Sequence, residues 1–256
     1  ETGEPLAFMS ANLLSAARTG AVPGVAARHL ARKDSEVIAV LGCGQINKSC
    51  LRSILTQLPN IKKVVCYDIF EAAADKFVEW EKEEIGLEAV AELDLEKAVK
   101  DADVLTVAAS RLKPLYVKDE WMKEGVTVLI TGPMQTDDSF WMSTKLIYDN
   151  TRLHEAYVQE AIDSGDKAGY YKGVIGGPIY TLIDAGKMPA LKDSTSIGDV
   201  ILGEKAGRTD DKERVTFVAC GMATFDVGLG YDLYHTALDK GIGTKLKLWD
   251  DPYQTR

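Results

Sequence analysis

The chain carries little of what several kinds of chemistry require. Its 256 residues hold three histidines and four cysteines. His29, His154 and His235 are widely scattered with no metal-ligand spacing between any two, so no histidine-based metal site is expected. Cys43, Cys50, Cys66 and Cys220 form no C-x-x-C pair, and three of them fall in apolar strand or helix context. That pattern fits buried free thiols in a reducing cytoplasm rather than a disulfide framework. No apolar run approaches the roughly 20 residues that cross a bilayer, and the first residues do not read as a secretory leader. Positive charge is in deficit: 30 Lys and Arg against 39 Asp and Glu leave a formal net charge of -9. Such a chain has no long-range attraction to nucleic acid or to an anionic membrane. Internal repeats and low-complexity segments are absent. The composition, 46% hydrophobic and 27% charged, is that of an ordinary soluble globular protein, long enough for one large or two modest domains and expected in the cytoplasm.

What is present begins with a turn. Gly42 and Gly44 follow the apolar run Glu36-Val37-Ile38-Ala39-Val40-Leu41, and Asp68 closes the next run, Val64-Val65-Cys66-Tyr67. The first glycine permits a tight turn from strand to helix, and at the second a side chain would keep the backbone away from a pyrophosphate. Gln45 to Leu55 has helix character and would aim its amino end at that anion. Asp68 stands 24 residues after Gly44, where an acid that binds the adenosine ribose is expected. A G-x-G pair also occurs at merely structural turns, and Asn47 occupies the place of the third fingerprint glycine. The strand-turn-helix-strand-acid context is what points to a dinucleotide site.

Short apolar runs then alternate with helical patterns: Ala72 to Glu83 helical, Glu88 to Ala91 extended, a short helix ending near Asp101, then Val104 to Ala108 and Val126 to Thr131 extended. Regular alternation means parallel strands joined by crossover helices, hence an α/β fold with a Rossmann-type doubly wound parallel sheet. The rhythm loosens after Trp141. Leu146 to Tyr148 reads as one further strand with Asp149 at its end, Arg152 to Ser164 as a helix, and Ser196 to Leu202 as a short helix in a stretch rich in glycine, lysine and aspartate. Val215 to Ala219 is another strand, and Gly221 introduces a helix from about Met222 to Lys240. At the other end, Leu6 to Met9 reads as a strand and Pro23 to Lys33 as a helix. The division expected is a dinucleotide-binding domain over 34–221, with 1–33 and 222–256 as parts of a smaller α+β substrate and dimerisation domain, incomplete at its amino terminus.

Four segments in order, Arg18-Thr19-Gly20-Ala21, Gly42-Cys43-Gly44-Gln45-Ile46-Asn47, Val107-Ala108-Ala109-Ser110 and Gly221-Met222-Ala223-Thr224-Phe225-Asp226, resemble the signatures of the ornithine cyclodeaminase and mu-crystallin family across nearly the whole chain. The Gly-Cys-Gly-x-Ile-Asn turn is similar to the branch that makes carboxyethyl-glutamate-type intermediates of diaminopropionate synthesis. The resemblance implies roughly 70–90 further residues ahead of Glu1, by the size of the missing half-domain. These would supply part of a dimer sheet and of the substrate-carboxylate clamp. It also implies a homodimer that takes a small amino or imino acid and NAD.

The candidate residues follow. Arg18 precedes a Thr-Gly pair at a break between two short helical patterns, where a guanidinium can hold a substrate carboxylate with two parallel hydrogen bonds; the alternative is a surface ion pair. By the resemblance Thr19 donates to the cofactor phosphate. Asp226, between Phe225 and Val227 in an apolar helix, is the candidate catalytic acid-base, with partial desolvation expected to suit it to proton transfer. An acid near a helix amino terminus can also serve the dipole alone. Gly42, Gly44, Gln45 and Ile46 form the cofactor turn. Ala108, Ala109 and Ser110 are small enough to admit the cofactor at a strand end, and Gly132 ends the next strand in the same way. Asp68, followed by Ile69 and Phe70 with no basic neighbour, favours NAD over NADP. The resulting expectation is an NAD-dependent oxidoreductase acting at the α carbon of an amino or imino acid, with cyclisation, hydrolysis or the reverse reduction as possible outcomes. The alternative is a non-catalytic dinucleotide-binding protein of mu-crystallin type, which would need neither Arg18 nor Asp226.

Overall fold

The structure, a computed structural model, describes residues 5–109 and 114–247. The elements run α1 (Asn12–Leu30), β1 (Val37–Leu41), α2 (Gln45–Gln57), β2 (Lys63–Tyr67), α3 (Glu71–Glu84), β3 (Glu88–Ala91), α4 (Leu95–Lys100) and β4 (Val104–Val107). Then follow β5 (Leu115–Tyr116), β6 (Thr127–Ile130), β7 (Met134–Gln135), α5 (Asp138–Ser143), β8 (Lys145–Tyr148), α6 (Thr151–Asp163), α7 (Lys167–Gly173) and α8 (Gly177–Asp184). The described chain ends with β9 (Thr195–Ser196), α9 (Ile197–Ile201), β10 (Val215–Val218) and α10 (Ala223–Asp239).

Eight strands form one sheet in the order β3-β2-β1-β4-β6-β10-β8-β9, and every pairing in it is parallel. Sequence alternation becomes two packed faces because successive strand side chains point to opposite sides. Ile38 and Val40 of β1 join α1, α2 and α3 through Ala27, Leu30, Ile54 and Phe77. Ala39 and Leu41 join the other layer with Val107, Ile130, Trp141 and Tyr180. The sheet is therefore covered on both sides, as its near-continuous apolar strands require. From β1 the strand order runs outward in two directions, which puts a crevice at the carboxyl ends of β1 and β4, the place where open parallel sheets take ligands.

Three local expectations are corrected. Leu6 to Met9 belongs to no strand. Phe8 is fully exposed there, and no described segment pairs with this stretch to satisfy its backbone groups. Pro23 does not start a helix; it lies inside α1, which is continuous through Arg18. Burial outweighs the proline penalty there. Ala16, Gly20, Pro23, Gly24, Ala27 and Leu30 share the buried face, and a Cβ built on Gly20 would lie 2.5 Å from Ser49 of α2. The helices approach so closely that the Ser53 hydroxyl donates to the Gly20 carbonyl. The stretch after Gly165 contains α7 and α8 as well as α9. Propensity is poor here, and burial of Tyr171, Ile179, Tyr180 and Leu182 supplies the stability that short helices lack alone.

α10, a helix of 17 residues, buries none of them. It touches α1 and presents Phe225, Val227, Tyr231, Leu233 and Leu238 to the surface.

Candidate active site

The glycine turn is built as its sequence demands. Gly42 has φ +96, a region side chains avoid. A Cβ there would also lie 2.8 Å from Ala109 Cα. Gly44 is the N-cap of α2, with no side-chain cap, and the space where its Cβ would stand is open. A cradle that only a missing side chain keeps open, at an uncapped helix amino terminus, suits an anionic group. Gln45 and Ile46 are exposed beside it.

Asp68 fastens this turn to the end of β2. Its Oδ2 accepts the Cys43 N–H at 2.8 Å, and its Oδ1 accepts the Phe70 N–H at 3.1 Å. Each carboxylate oxygen keeps further acceptor capacity for a ribose hydroxyl. Ile69 is exposed next to it. The Cys43 thiol is held well above its ordinary range by the neighbouring Cys66, by burial and by the Asp68 carboxylate, so it is no nucleophile at neutral pH.

Small residues join three strand ends. Gly42 meets Ala109, and a Cβ on Gly132 would lie 3.0 Å from Ala108 Cα. Of the small residues expected after β4, Ser110 lies outside the described residues. Thr19 lies half-buried on α1, beside Gly20 at its contact with α2.

Arg18 and Asp226, 208 residues apart, meet: Arg18 Nε donates to Asp226 Oδ1 at 2.8 Å. Their side chains retain 21% and 32% exposure. Phe225 and Val227 point to the surface, so what faces the Asp226 carboxylate is a guanidinium rather than the apolar company its sequence neighbours suggest. The contact occupies Nε and leaves two Nη groups able to donate. One of them abuts Gly221: a Cβ on that residue would lie 2.7 Å from Arg18 Nη1, and its φ is +80.

Asn47, in the place of the third fingerprint glycine, supports the turn from inside the fold. It is fully buried. Its Nδ2 donates to the carbonyls of Leu41 at 3.1 Å and Gly42 at 2.8 Å, while Thr106 Oγ1 donates to its Oδ1 at 2.9 Å. It thereby ties the turn to both β1 and β4. An amide at a strand-facing helix position was the available signal. Among the described residues no group of three His, Cys, Asp or Glu side chains could hold a metal, and no helix is long and apolar enough to cross a membrane.

The pattern of the ornithine cyclodeaminase/mu-crystallin family matches residues 1–241. The structure of Thermococcus litoralis Delta(1)-pyrroline-2-carboxylate reductase, in complex with NADH and L-proline, superposes with a TM-score of 0.80 at 27% identity, covering 96% of this chain and 71% of that one. An archaeal alanine dehydrogenase dimer with bound NAD gives a TM-score of 0.77 at 32% identity, covering 97% and 72%. The N-((2S)-2-amino-2-carboxyethyl)-L-glutamate dehydrogenase of Staphylococcus aureus is 28% identical over 97% of this chain and 69% of its own length.

Proposed function

This chain belongs to the ornithine cyclodeaminase/mu-crystallin family, and on that premise we propose that it is an NAD-dependent oxidoreductase acting at the α carbon of an amino or imino acid. The observation that carries the reading is the Arg18–Asp226 pair. Two residues far apart in sequence are brought to the carboxyl edge of the sheet, the edge that holds the uncapped glycine turn. A module that only sequestered a dinucleotide would need no such pair, which favours the enzyme over the non-catalytic alternative.

The roles follow from the chemistry of each group. NAD, when bound, supplies hydride acceptance or delivery at the α carbon. Gly42, Gly44, Gln45 and Ile46 seat its pyrophosphate at the amino end of α2, with Thr19 contributing from α1. Asp68 and Ile69 flank the ribose, and Ala108, Ala109, Ser110 and Gly132 leave room beyond. Arg18 binds the substrate carboxylate through its Nη groups. Asp226 holds or moves the proton at the substrate nitrogen.

The finer organisation is part of the same proposal. Residues 34–221 form the dinucleotide-binding domain, while 1–33 and 222–256 contribute to a substrate and dimerisation domain, with α1 joining the two by its packing on α2. A homodimer is supported by the exposed apolar side chains of α10 and by the dimeric state of the archaeal alanine dehydrogenase. Four free cysteines support a reducing, cytoplasmic setting.

The test is an absorbance screen at about 340 nm, where the reduced nicotinamide absorbs. The substrates are Delta(1)-pyrroline-2-carboxylate, L-proline, L-alanine, ornithine, lysine and N-(2-amino-2-carboxyethyl)-glutamate. Turnover with at least one, preferring NAD(H) to NADP(H), is expected. NAD binding without turnover of any would leave the non-catalytic reading standing instead.

A further inference from the structure

The turn that carries Gly221 and leads to Asp226 is not held by the sheet. Its last ladder contact is Ala219 N–H to the Ile130 carbonyl. Beyond that point the N–H groups of Cys220 and Gly221 both donate to one carboxylate oxygen, Asp149 Oδ2, at 2.9 and 3.0 Å. Asp149 stands immediately after β8, and its own N–H donates to the Val218 carbonyl at 3.0 Å. It thus fastens the neighbouring strand β10 at its carboxyl end.

The other oxygen of Asp149 reaches inward. Oδ1 accepts the Asn150 N–H at 2.8 Å and contacts His154 Nε2 at 2.9 Å. A carboxylate only accepts, so Nε2 carries the proton. His154 Nδ1 lies 2.6 Å from the Tyr180 hydroxyl. With Nε2 turned to Asp149, Nδ1 is the ring nitrogen left to pair with that phenol. His154 and Tyr180 are fully buried, and the imidazole is wedged edge-on between Tyr148 and Tyr180, with centroids 4.6 and 5.8 Å away. All three rings are buried, and the roles assigned above to Arg18, Asp226 and the cofactor residues use none of these side chains.

We propose that Asp149, His154 and Tyr180 are positioning residues for the reaction: a buried relay that fixes the Cys220–Gly221 turn and thereby the aim of Asp226 beside Arg18. The Gly221 backbone sits against the Arg18 guanidinium, and α10 begins two residues later with Asp226 in its first turn. A displacement of the turn is therefore passed directly to the carboxylate. The inference rests on the catalytic reading of Asp226 for its kinetic consequence, but not for its structural one.

The experiment compares His154→Leu, which keeps bulk and loses both hydrogen bonds, with His154→Gln, whose amide can still donate to Asp149 and accept from Tyr180. The full-length protein is assayed with saturating NAD(H) and the substrate found by the screen. Misplacement of a catalytic group by about 1 Å can cost about 10²-fold. The expected result is a loss of kcat of roughly 10- to 100-fold for His154→Leu, with KM and NAD affinity little changed and most of the rate restored in His154→Gln. A purely structural role would lower thermal stability in both variants without this split. If His154→Leu does not fold, Tyr180→Phe, which removes one hydroxyl, is expected to show a smaller loss of the same kind.

Hydrogen exchange of the amides of 220–226 is read alongside, against those of β1 and β4 as the internal standard. It is expected to quicken in His154→Leu only at 220–226. A parent without turnover would sink the proposed function alone, since exchange still decides the relay. Unchanged exchange at 220–226, an unchanged kcat in an active parent, or a glutamine variant as impaired as the leucine variant would overturn the proposal.

Discussion

The two glycines of the cofactor turn are constrained by different things, and substituting each by alanine separates them. At Gly42 the constraint is the protein itself. The backbone has φ +96, and a Cβ would lie 2.8 Å from Ala109 Cα, a backbone atom that cannot swing aside. Backbone strain of about 1–3 kcal/mol and overpacking of similar size together make Gly42→Ala destabilising by about 2–6 kcal/mol. For a chain of this length that corresponds to a fall in Tm of roughly 5–20 °C. At Gly44 the backbone, φ -96 and ψ 179, is open to any residue, and nothing lies within 4 Å of the added methyl. Gly44→Ala should leave Tm unchanged or raise it, since removing a glycine from the unfolded ensemble is worth about 0.4–1 kcal/mol where the native backbone allows it. The methyl instead occupies the place proposed for the pyrophosphate. The assay is thermal unfolding with and without NAD. Saturation at about 100 times Kd stabilises the parent by about 2.7 kcal/mol, and that increment should disappear in Gly44→Ala. An alanine at 44 that keeps the full NAD-induced shift refutes the placement of the anion. An alanine at 42 that melts with the parent refutes the steric account of the turn.

Asp226→Asn preserves shape and should leave NAD binding intact while lowering kcat by about 10²- to 10⁴-fold, the usual contribution of general acid-base catalysis. A helix-dipole role alone would cost only about 0.3–1 kcal/mol of stability, so kcat measured beside Tm separates the two. Asp68→Ala should narrow the preference for NAD over NADP by removing the acceptor for the ribose hydroxyls, and equal affinities in the parent would overturn the assignment. Stability should fall in acid through two carboxylates. Burial raises the Asp149 carboxyl, but His154 and the N–H groups of Gly221 and Asn150 more than offset this and hold it below its ordinary value. Burial likewise raises Asp103, and Lys123 with the N–H groups of Glu36 and Val37 brings it below. A depressed carboxylate stabilises the fold fully above its unfolded value and loses that contribution as pH falls through the folded one. The loss therefore belongs below about pH 4, the ordinary carboxylate range, and Asp103→Asn should flatten it; a Tm profile as steep as the parent's in that range would contradict the assignment.

The architecture near the cofactor turn follows from the chain's local chemistry. An apolar run, a glycine forced to positive φ, an amphipathic helix and an acid closing the next strand are short-range features, and their physics of sterics, periodicity and strand pairing hardly depends on the rest of the molecule. β1, α2, β2 and Asp68 accordingly stand where the sequence indicates, and the alternation that follows leads to the parallel sheet. The remainder depends on contacts made in the folded state, because the partners involved are remote in the chain. Pro23 argues for a helix break, yet close packing on Ser49 and Ser53 of α2 keeps α1 whole. Leu6 to Met9 has the composition of a strand but no described partner for its backbone. Asn47 reads as a missing glycine until Leu41, Gly42 and Thr106 surround its amide. Arg18 meets Asp226 across 208 residues, and Asp149 reaches Cys220 and Gly221 across 71 and 72. Pairings of that range depend on the sheet bringing strand ends side by side, and neither periodicity nor propensity carries that information.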